Sequence, residues 1–485
     1  MWEDYTKNLL LLTDYYEFSM ANGYFLDGIG EQPVVFDYFF RENPFNGGYA
    51  IVAGIEQLLD ILEHFQFTEE QIEYLKSYAS LDDGFLDYLT HMRNQIVVKG
   101  FSEGRVVFAN EPILEINGPL IQCQLIETIL LNSINFPTLC ATKANRMWLA
   151  SDKQPILEFG ARRAQGSNGS LIATYASMVG GCAGTSNMLA AKYLGEGLKA
   201  SGTQAHSWIM TYPSEYEAFK RYSEIYPKAS ILLVDTYDTL KSGVVNAIKI
   251  GKELRERGED LLGIRLDSGD MAKLSIEARK MLDEMGFQKT KIVISNDVDE
   301  YFIRKFREQG GKADIWGIGT KLVTCFDDPA LGGVFKLAQY GQEPRIKVSG
   351  DPSKTNVPGN KELFRCYEKI KGEYLMKCDL MELETELEHG ELRFPQNFYS
   401  PYYLKDSISL MRKEMDKIES VLQVLLVNGA RTRKKLSWKD ARANMESDLQ
   451  HLPKRFYRLD KPDQYDIYIS QTIHDIRQKL ISKYI

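Results

Sequence analysis

SILLVDTYDT (residues 230–239), LLGIRLDSGD (261–270), KIVISNDVDE (291–300) and DIWGIGT (314–320) decide the fold. Each carries a continuous apolar run and closes on a polar or glycine cluster. Apolar runs without alternation suit strands buried on both faces. Helix-like segments lie between them, at 268–285 and 297–309. Strand, polar turn and helix, repeated, read as a parallel βα array. PILEFG (155–160) is its first strand, and its expected extent is 140–333. In such arrays the loops after the strands gather on one face and carry the chemistry. Asp235, Arg265, Asp267, Ser268, Asn296, Gly319 and Thr320 occupy those loops. Carboxylate, guanidinium, hydroxyl and bare backbone together suit a phosphorylated, metal-associated substrate.

Outside the array the texture changes. Residues 1–139 mix helices, expected at 17–25, 51–65, 69–78, 82–92 and 120–131, with a strand at 33–41. Two short strands, GRVVFA (104–109) and PILEING (112–118), are split by turn chemistry at Asn110-Glu111-Pro112. After Gly333, VFKLAQY (334–340) and PRIKVS (344–349) alternate around a Gly-Gln-Glu turn, and the polar loop GDPSKTNVPGNKE (350–362) follows. The segment 334–404 returns to the β-rich texture of the N-terminal part and is expected to complete that domain. Residues 405–485 read as helical and charge-rich. Their RTRKK run (431–435) reads as a solvated face or helix end rather than a nucleic-acid patch.

Composition narrows the class. The 485 residues suggest two or three domains with ample core. Hydrophobic content of 44% and charged content of 26% are ordinary for a globular protein. The net charge, 59 − 67 = −8, speaks against nucleic-acid or anionic-membrane partners. An anionic small molecule then needs a local basic pocket. The six cysteines are scattered, with no CxxC and no zinc spacing, as in free thiols of a reducing cytosol. No basic segment precedes the short apolar run near the N-terminus, so no signal peptide is expected. No apolar run approaches the roughly 20 residues that span a bilayer. A cytoplasmic location is the expectation, and the sequon at Asn168 is then a coincidence.

Four clusters can carry chemistry. EFGARRAQGSNGS (158–170) places adjacent arginines after a strand. Arginine offers a planar fork matched to carboxylate or phosphate. Adjacent residues do not share a direction, so at most one is expected to face a ligand; a helix start with surface arginines has the same letters. His206, in SGTQAHSW (201–208), reads either as a hydrogen-bonded structural histidine or as a nucleophile or base. Arg265-Leu-Asp267-Ser268-Gly269-Asp270 is sharper, because a buried strand has little reason to end in Arg-x-Asp unless both groups project into a site. Arg265 suits a pyrophosphate. Asp267 suits Mg²⁺, directly or through water, or a ribose hydroxyl. A helix N-cap at Ser268 is the plainer alternative. Gly317-Ile-Gly319-Thr320 reads as a phosphate cradle or as a tight turn. No Walker A motif is present, so any ATP use needs another site.

In order, LLTDYYEFSMANGYF (11–25), EFGARRAQG, GTSN (184–187), GTQAHS, VDTYDT, RLDSGD, SNDVD, GIGT and PSKTNVPGNKELFR (352–365) resemble the nicotinate phosphoribosyltransferase family. The resemblance covers most of the chain. It implies an α/β fold: an irregular βα barrel of the type II phosphoribosyltransferase kind, a mixed α+β domain from N-terminal and post-barrel segments, and C-terminal helices. It implies transfer of phosphoribosyl from phosphoribosyl pyrophosphate to nicotinate in NAD biosynthesis. ATP hydrolysis through a phosphohistidine and Mg²⁺ are implied with it. His206 matches that histidine, and Asp235 the carboxylate that orients it. Arg162 matches the arginine beside the pyridine ring, with Phe159 lining the ring pocket. Tyr16, with Asp14, matches the tyrosine that stacks on the ring from the partner subunit of a homodimer. Arg265 and Asp267, in the RLDSGD run with Ser268 and Gly269, match the pyrophosphate, ribose and Mg²⁺ group. Asn296, Gly319 and Thr320 match the 5′-phosphate cradle.

The nearest rival, nicotinamide phosphoribosyltransferase, has aspartate where this chain has Ser186, and glutamate where it has Ala205. An aspartate repels a carboxylate substrate, whereas serine donates to it. The acid is therefore the expected substrate. Quinolinate phosphoribosyltransferase needs further cationic groups for a second carboxylate. A catalytically silent binding protein of the same fold sits badly with His206, Asp235, Arg265 and Asp267 together.

Overall fold

A computed structural model describes residues 9–78, 80–348, 355–394, 396–401, 407–410 and 415–484. The chain forms two compact units, one of Cys140–Pro329 and one of the residues up to Leu139 with those from Ala330 onward.

The unit of Cys140–Pro329 holds six parallel strands: β1 (Ile156–Glu158), β2 (Gly184–Thr185), β3 (Ile231–Leu233), β4 (Gly263–Leu266), β5 (Lys291–Asn296) and β6 (Ile315–Ile318). Their spatial order is β2-β1-β6-β5-β4-β3. Trp316 of β6 registers with Ile156 of β1, so the last strand in the chain closes on the first. No ladder joins β2 to β3 among the described residues, which makes the barrel irregular. Leu232, Leu233, Ile264, Leu266, Ile292, Ile294, Trp316 and Ile318 have no exposed surface. Residues 232–233, 292–295 and 316–318 are buried consecutively, and neighbours along a strand point to opposite faces, so both faces are covered. This is why the runs lack alternation.

Helices follow the strands at Gly166–Gly180, Met188–Leu194, Val244–Glu256, Met271–Glu284 and Glu300–Glu308, with a short turn at Thr320–Val323. Asn187, Asp270 and Asp299 each accept a backbone N–H of the first turn of the helix they start. Such caps fix where each loop ends. The cap after β4 is Asp270, and the alternative of a cap at Ser268 gives way to it. Ser268 instead uses its hydroxyl inside the site.

In the other unit, Gly333–Tyr340 pairs antiparallel with Pro33–Phe40, which also pairs with Leu114–Pro119. These strands belong to a seven-stranded sheet, and a second sheet has six strands. Among the described residues PRIKVS does not continue as a strand over 345–348, for only Glu343–Pro344 pairs. The Lys347 N–H goes to the Asn356 side chain instead of a ladder. Residues 350–354 of the polar loop, including the start of the motif at 352–365, lie outside the described residues.

Residues 405–485 differ from the helical expectation. Helices Trp438–His451 and Gln471–Tyr484 are joined by strands that include Lys417–Ser420, Gln423–Val427 and Ile467–Ser470. Short β-branched strands of this kind are built by pairing partners remote in sequence. RTRKK is not a solvated face either. Arg431 meets Glu56, Asp60 and Glu63 at 2.6, 2.7 and 2.9 Å, and Arg433 meets Glu56 at 2.7 Å. Among the described residues no helix is long and apolar enough to cross a membrane.

One buried ion-pair group braces the barrel unit. Glu300 takes Arg146 Nε on one oxygen and Lys143 Nζ on the other, both at 2.7 Å, and Lys143 also reaches Asp327 at 2.6 Å. Removing Glu300 takes a shared carboxylate from two buried cations, Lys143 and Arg146. Glu300→Ala should lower unfolding free energy by about 3–5 kcal/mol in urea titrations. A loss below about 1 kcal/mol, the scale of an exposed pair, would show that the group is not under stress.

Candidate active site

The carboxyl ends of five of the six strands, all but β3, open on one cavity of about 350 Å³. β1 supplies Phe159, Arg162 and Arg163, β2 supplies Ser186, and the irregular approach to helix His206–Met210 supplies Gly202 to His206. β4 gives Arg265 and Asp267, β5 gives Ser295, Asn296 and Asp297, and β6 gives Gly317, Gly319 and Thr320. Ligands of open α/β arrays bind at this end because the loops there are free of packing duty.

Asp235 follows β3 and is anchored through one oxygen. Its Oδ2 accepts the Asp267 N–H at 2.7 Å and the Ser268 hydroxyl at 2.8 Å. Its Oδ1 has no hydrogen-bond partner among the described residues but stands 3.4 Å from His206 Nε2. The Asp235 side chain is 1% exposed and that of His206 is 39% exposed. A fixed carboxylate thus faces an accessible imidazole, one ring nitrogen toward the acid and the other free.

Arg265 donates from Nη1 to Thr203 Oγ1 at 2.7 Å, while its Nε is buried and has no partner among the described residues. Burial depresses its guanidinium from the ordinary range, against the opposing pull of Asp267 and Asp235. Arginine stays a cation even so. Asp267 accepts the Ser295 hydroxyl on Oδ1 at 2.5 Å, and no hydrogen bond reaches its Oδ2 among the described residues. Asn296 donates from Nδ2 to the Asp267 carbonyl at 2.8 Å and holds φ at 95°. Positive φ outside glycine is costly and clusters at functional sites. Gly317 is needed for packing, since a Cβ there would lie 2.7 Å from Cε2 of the Phe159 ring. The carboxamide of Gln204 and the hydroxyl of Thr236 are also buried without partners among the described residues. Buried polar atoms left unpaired are places for ligand or water atoms.

Most residues expected from the sequence meet here. Phe159, Arg162, Ser186, His206, Arg265, Asp267, Asn296, Gly319 and Thr320 line the cavity. Asp235 and Ser268 stand behind it: Asp235 accepts the Asp267 N–H, and Ser268 donates to the same Asp235 oxygen. Gly269, at φ 80°, turns the chain between them and the helix cap. Both Arg162 and Arg163 line the cavity, contrary to the expectation of one, because a 3-10 turn over Ala161–Arg163 brings both to its wall. Asp14 and Tyr16 belong to the other unit, at the start of helix Tyr15–Leu26, and are absent from this lining. Thr203, Gln204, Ser295 and Asp297 were not anticipated. Their signal was position alone, beside His206 and at the end of β5.

An irregular parallel barrel with its functional groups on the strand-end face places the chain among the type II phosphoribosyltransferases. The nicotinate phosphoribosyltransferase family matches residues 155–373, its N-terminal domain residues 11–135 and its C-terminal domain residues 360–477. The chain belongs to the nicotinate phosphoribosyltransferase family of enzymes. A nicotinate phosphoribosyltransferase of Bacillus subtilis (strain 168) is 36% identical over 492 residues, covering 98% of this chain and 97% of that protein. One from Caenorhabditis elegans is 37% identical over 437 residues, covering 78% of this chain and 77% of that protein. The crystal structure of human nicotinic acid phosphoribosyltransferase is similar at TM-score 0.83 and 27% identity, over 96% of this chain and 99% of that one.

Tyr16 sits in an acidic setting. Burial, with Glu127, Glu17 and Asp14 nearby, pushes its phenol up to about 12. Burial likewise pushes Glu17 up to about 7, although Thr128 donates to it from both N and Oγ1. The folded-state value lies above the unfolded one, so the stability Glu17 contributes is full at low pH and is lost as pH rises through about 7. Glu17→Gln removes that loss. Its melting temperature relative to wild type should therefore climb between about pH 5 and pH 8. A constant difference across that range would mean that Glu17 ionises normally.

Proposed function

We propose that the protein joins phosphoribosyl pyrophosphate to nicotinate, releasing pyrophosphate and nicotinate mononucleotide, and that ATP hydrolysis drives the reaction through a phosphohistidine at His206. The observation that carries this reading is the His206–Asp235 pair at 3.4 Å, beside a cavity with three arginine forks and a carboxylate with one free oxygen.

The ring end of the pocket is assigned to Phe159, Arg162 and Ser186, with the Ser186 hydroxyl donating to the nicotinate carboxylate. A neutral donor there suits an acid, where an aspartate would repel it. Arg265 holds the pyrophosphate. Asn296, Gly319 and Thr320 take the 5′-phosphate with side-chain and backbone donors. The pyridine nitrogen attacks C1′ of the ribose as the bond to pyrophosphate breaks. Charge builds on the leaving oxygens, and fixed guanidinium groups stabilise it without reorganisation. Alignment of the ring with C1′ supplies much of the rest.

Mg²⁺ binds phosphates with few protein ligands and keeps several waters. The free oxygen of Asp267 suits that role, and no cluster of three or more metal-ligating side chains occurs among the described residues. Asp267 would hold the ion directly or through water, and the ion would neutralise the departing pyrophosphate.

In the ATP step, Asp235 holds His206 through Nε2, which leaves Nδ1 as the nucleophile. The Nδ1 lone pair forms a bond to the γ-phosphorus as ADP leaves, and water later releases the phosphate. Such a step biases the equilibrium between states of the site without contact to the pyridine. A homodimer in which Tyr16 of one subunit stacks on the ring held by the other completes the reading.

His206→Ala should lose ATP stimulation and all label from γ-labelled ATP, yet keep ATP-independent formation of the mononucleotide. Full ATP stimulation in the variant would overturn the role of His206.

A further inference from the structure

Glu158, the last residue of β1, is fully buried and has no role in the steps above. Its partners are all neutral. Oε1 accepts the Gly160 N–H at 2.5 Å, and Oε2 accepts the hydroxyls of Thr174 at 2.9 Å and Thr185 at 2.7 Å. Its backbone oxygen accepts the Ser186 N–H at 2.9 Å. One residue therefore touches three segments: the turn that carries Phe159 and Arg162, the helix Gly166–Gly180, and the end of β2 that carries Ser186.

The polarity is fixed at the Thr185 and Gly160 contacts, whereas the Thr174 hydroxyl also reaches the Ser170 carbonyl at 2.8 Å. The Asn187 N–H donates to Thr185 Oγ1 at 2.9 Å, which directs the Thr185 proton toward Glu158. The Gly160 N–H can only donate. Donors thus converge on both oxygens, and only a group that accepts on both suits them. Ser186 lies between Thr185 and Asn187, so its backbone is pinned from both sides. A buried carboxylate without a cation is expensive unless hydrogen bonds satisfy it. Neutral hydrophobic residues would close a strand end more cheaply if the position had only to fold.

We propose that Glu158 is a positioning residue for the acid substrate: it sets the distance between the ring wall at Phe159 and Arg162 and the carboxylate donor at Ser186. The proposal rests on the assignment of that wall to nicotinate. The groups assigned to phosphoribosyl pyrophosphate come from β4, β5 and β6 and make no hydrogen bond to Glu158. The two substrates should therefore respond differently when Glu158 is altered.

The test is steady-state kinetics on the full chain with nicotinate and phosphoribosyl pyrophosphate varied separately, alongside melting temperatures. Glu158→Gln keeps the volume but turns one acceptor into a donor. It should raise KM for nicotinate roughly ten- to hundredfold, the cost of ångström-scale misplacement, and leave KM for phosphoribosyl pyrophosphate nearly unchanged. Thr185→Val should shift nicotinate KM the same way, and Thr185→Ser, which keeps the hydroxyl, should restore it. The threonine pair decides the matter if Glu158→Gln fails to fold. Equal rises in both KM values, or an unchanged nicotinate KM in folded variants, would overturn the proposal. Ser186→Ala, run in parallel, separates the failures. If it raises nicotinate KM while Glu158→Gln and Thr185→Val do not, the ring site stands and Glu158 falls. If the wild type makes no mononucleotide from nicotinate, the parent reading falls with it.

Discussion

The buried carboxylate of Asp235 is the constraint on which the rest of the site depends. It sits at the end of β3 but spends one oxygen on the loop after β4, through the Asp267 N–H and the Ser268 hydroxyl. Its other oxygen faces His206, which arrives from the segment after β2. Three loops are thereby referred to one side chain. The carboxylate fixes the direction of Asp267, and Asp267 in turn receives Ser295 and, through its carbonyl, Asn296 of β5. Hydrogen bonds to a charged acceptor are the stronger kind. The network can therefore hold the costly positive φ of Asn296 in place.

Charge is distributed unevenly, and that matters for the chemistry. The chain is acidic overall, at −8. The cavity nevertheless gathers Arg162, Arg163 and Arg265. Fixed guanidinium groups in a cleft focus the field on an anionic substrate, even on a protein of opposite net charge. Arg265 is the clearest case, since burial works against its charge and an unpaired Nε remains. A pyrophosphate satisfies both conditions at once. Glu158, at the end of β1, is a second buried carboxyl group, one that neutral donors surround.

What could be read from the sequence follows from what is local. β3 to β6 were legible because doubly buried strands need continuous apolar runs, and Arg265-x-Asp267 was legible because polar residues interrupt such a run for a reason. His206 and Asp235 stood out by residue type, but their 3.4 Å approach is a tertiary fact. Caps were less secure: Ser268 and Asp270 are both good capping residues, and only the demand of Asp235 for a hydroxyl decides between them. The tail was misread because its strands Gln423–Val427 and Ile467–Ser470 take their pairing from segments far away in sequence. The adjacent arginines were misjudged because a 3-10 turn, not a strand, carries them. Glu158 gave no signal beyond an acid at a strand end, since Gly160, Thr174 and Thr185 lie on a turn, a helix and a neighbouring strand.

The most direct measurement is a paired assay of the purified protein with phosphoribosyl pyrophosphate and Mg²⁺, one arm with nicotinate and one with nicotinamide, each with and without ATP. Chromatography follows the mononucleotide formed. The account predicts product from nicotinate, enhanced by ATP, and little or none from nicotinamide. Product from nicotinamide alone would contradict it, because a site that selects by a neutral donor at Ser186 has no means of preferring the amide.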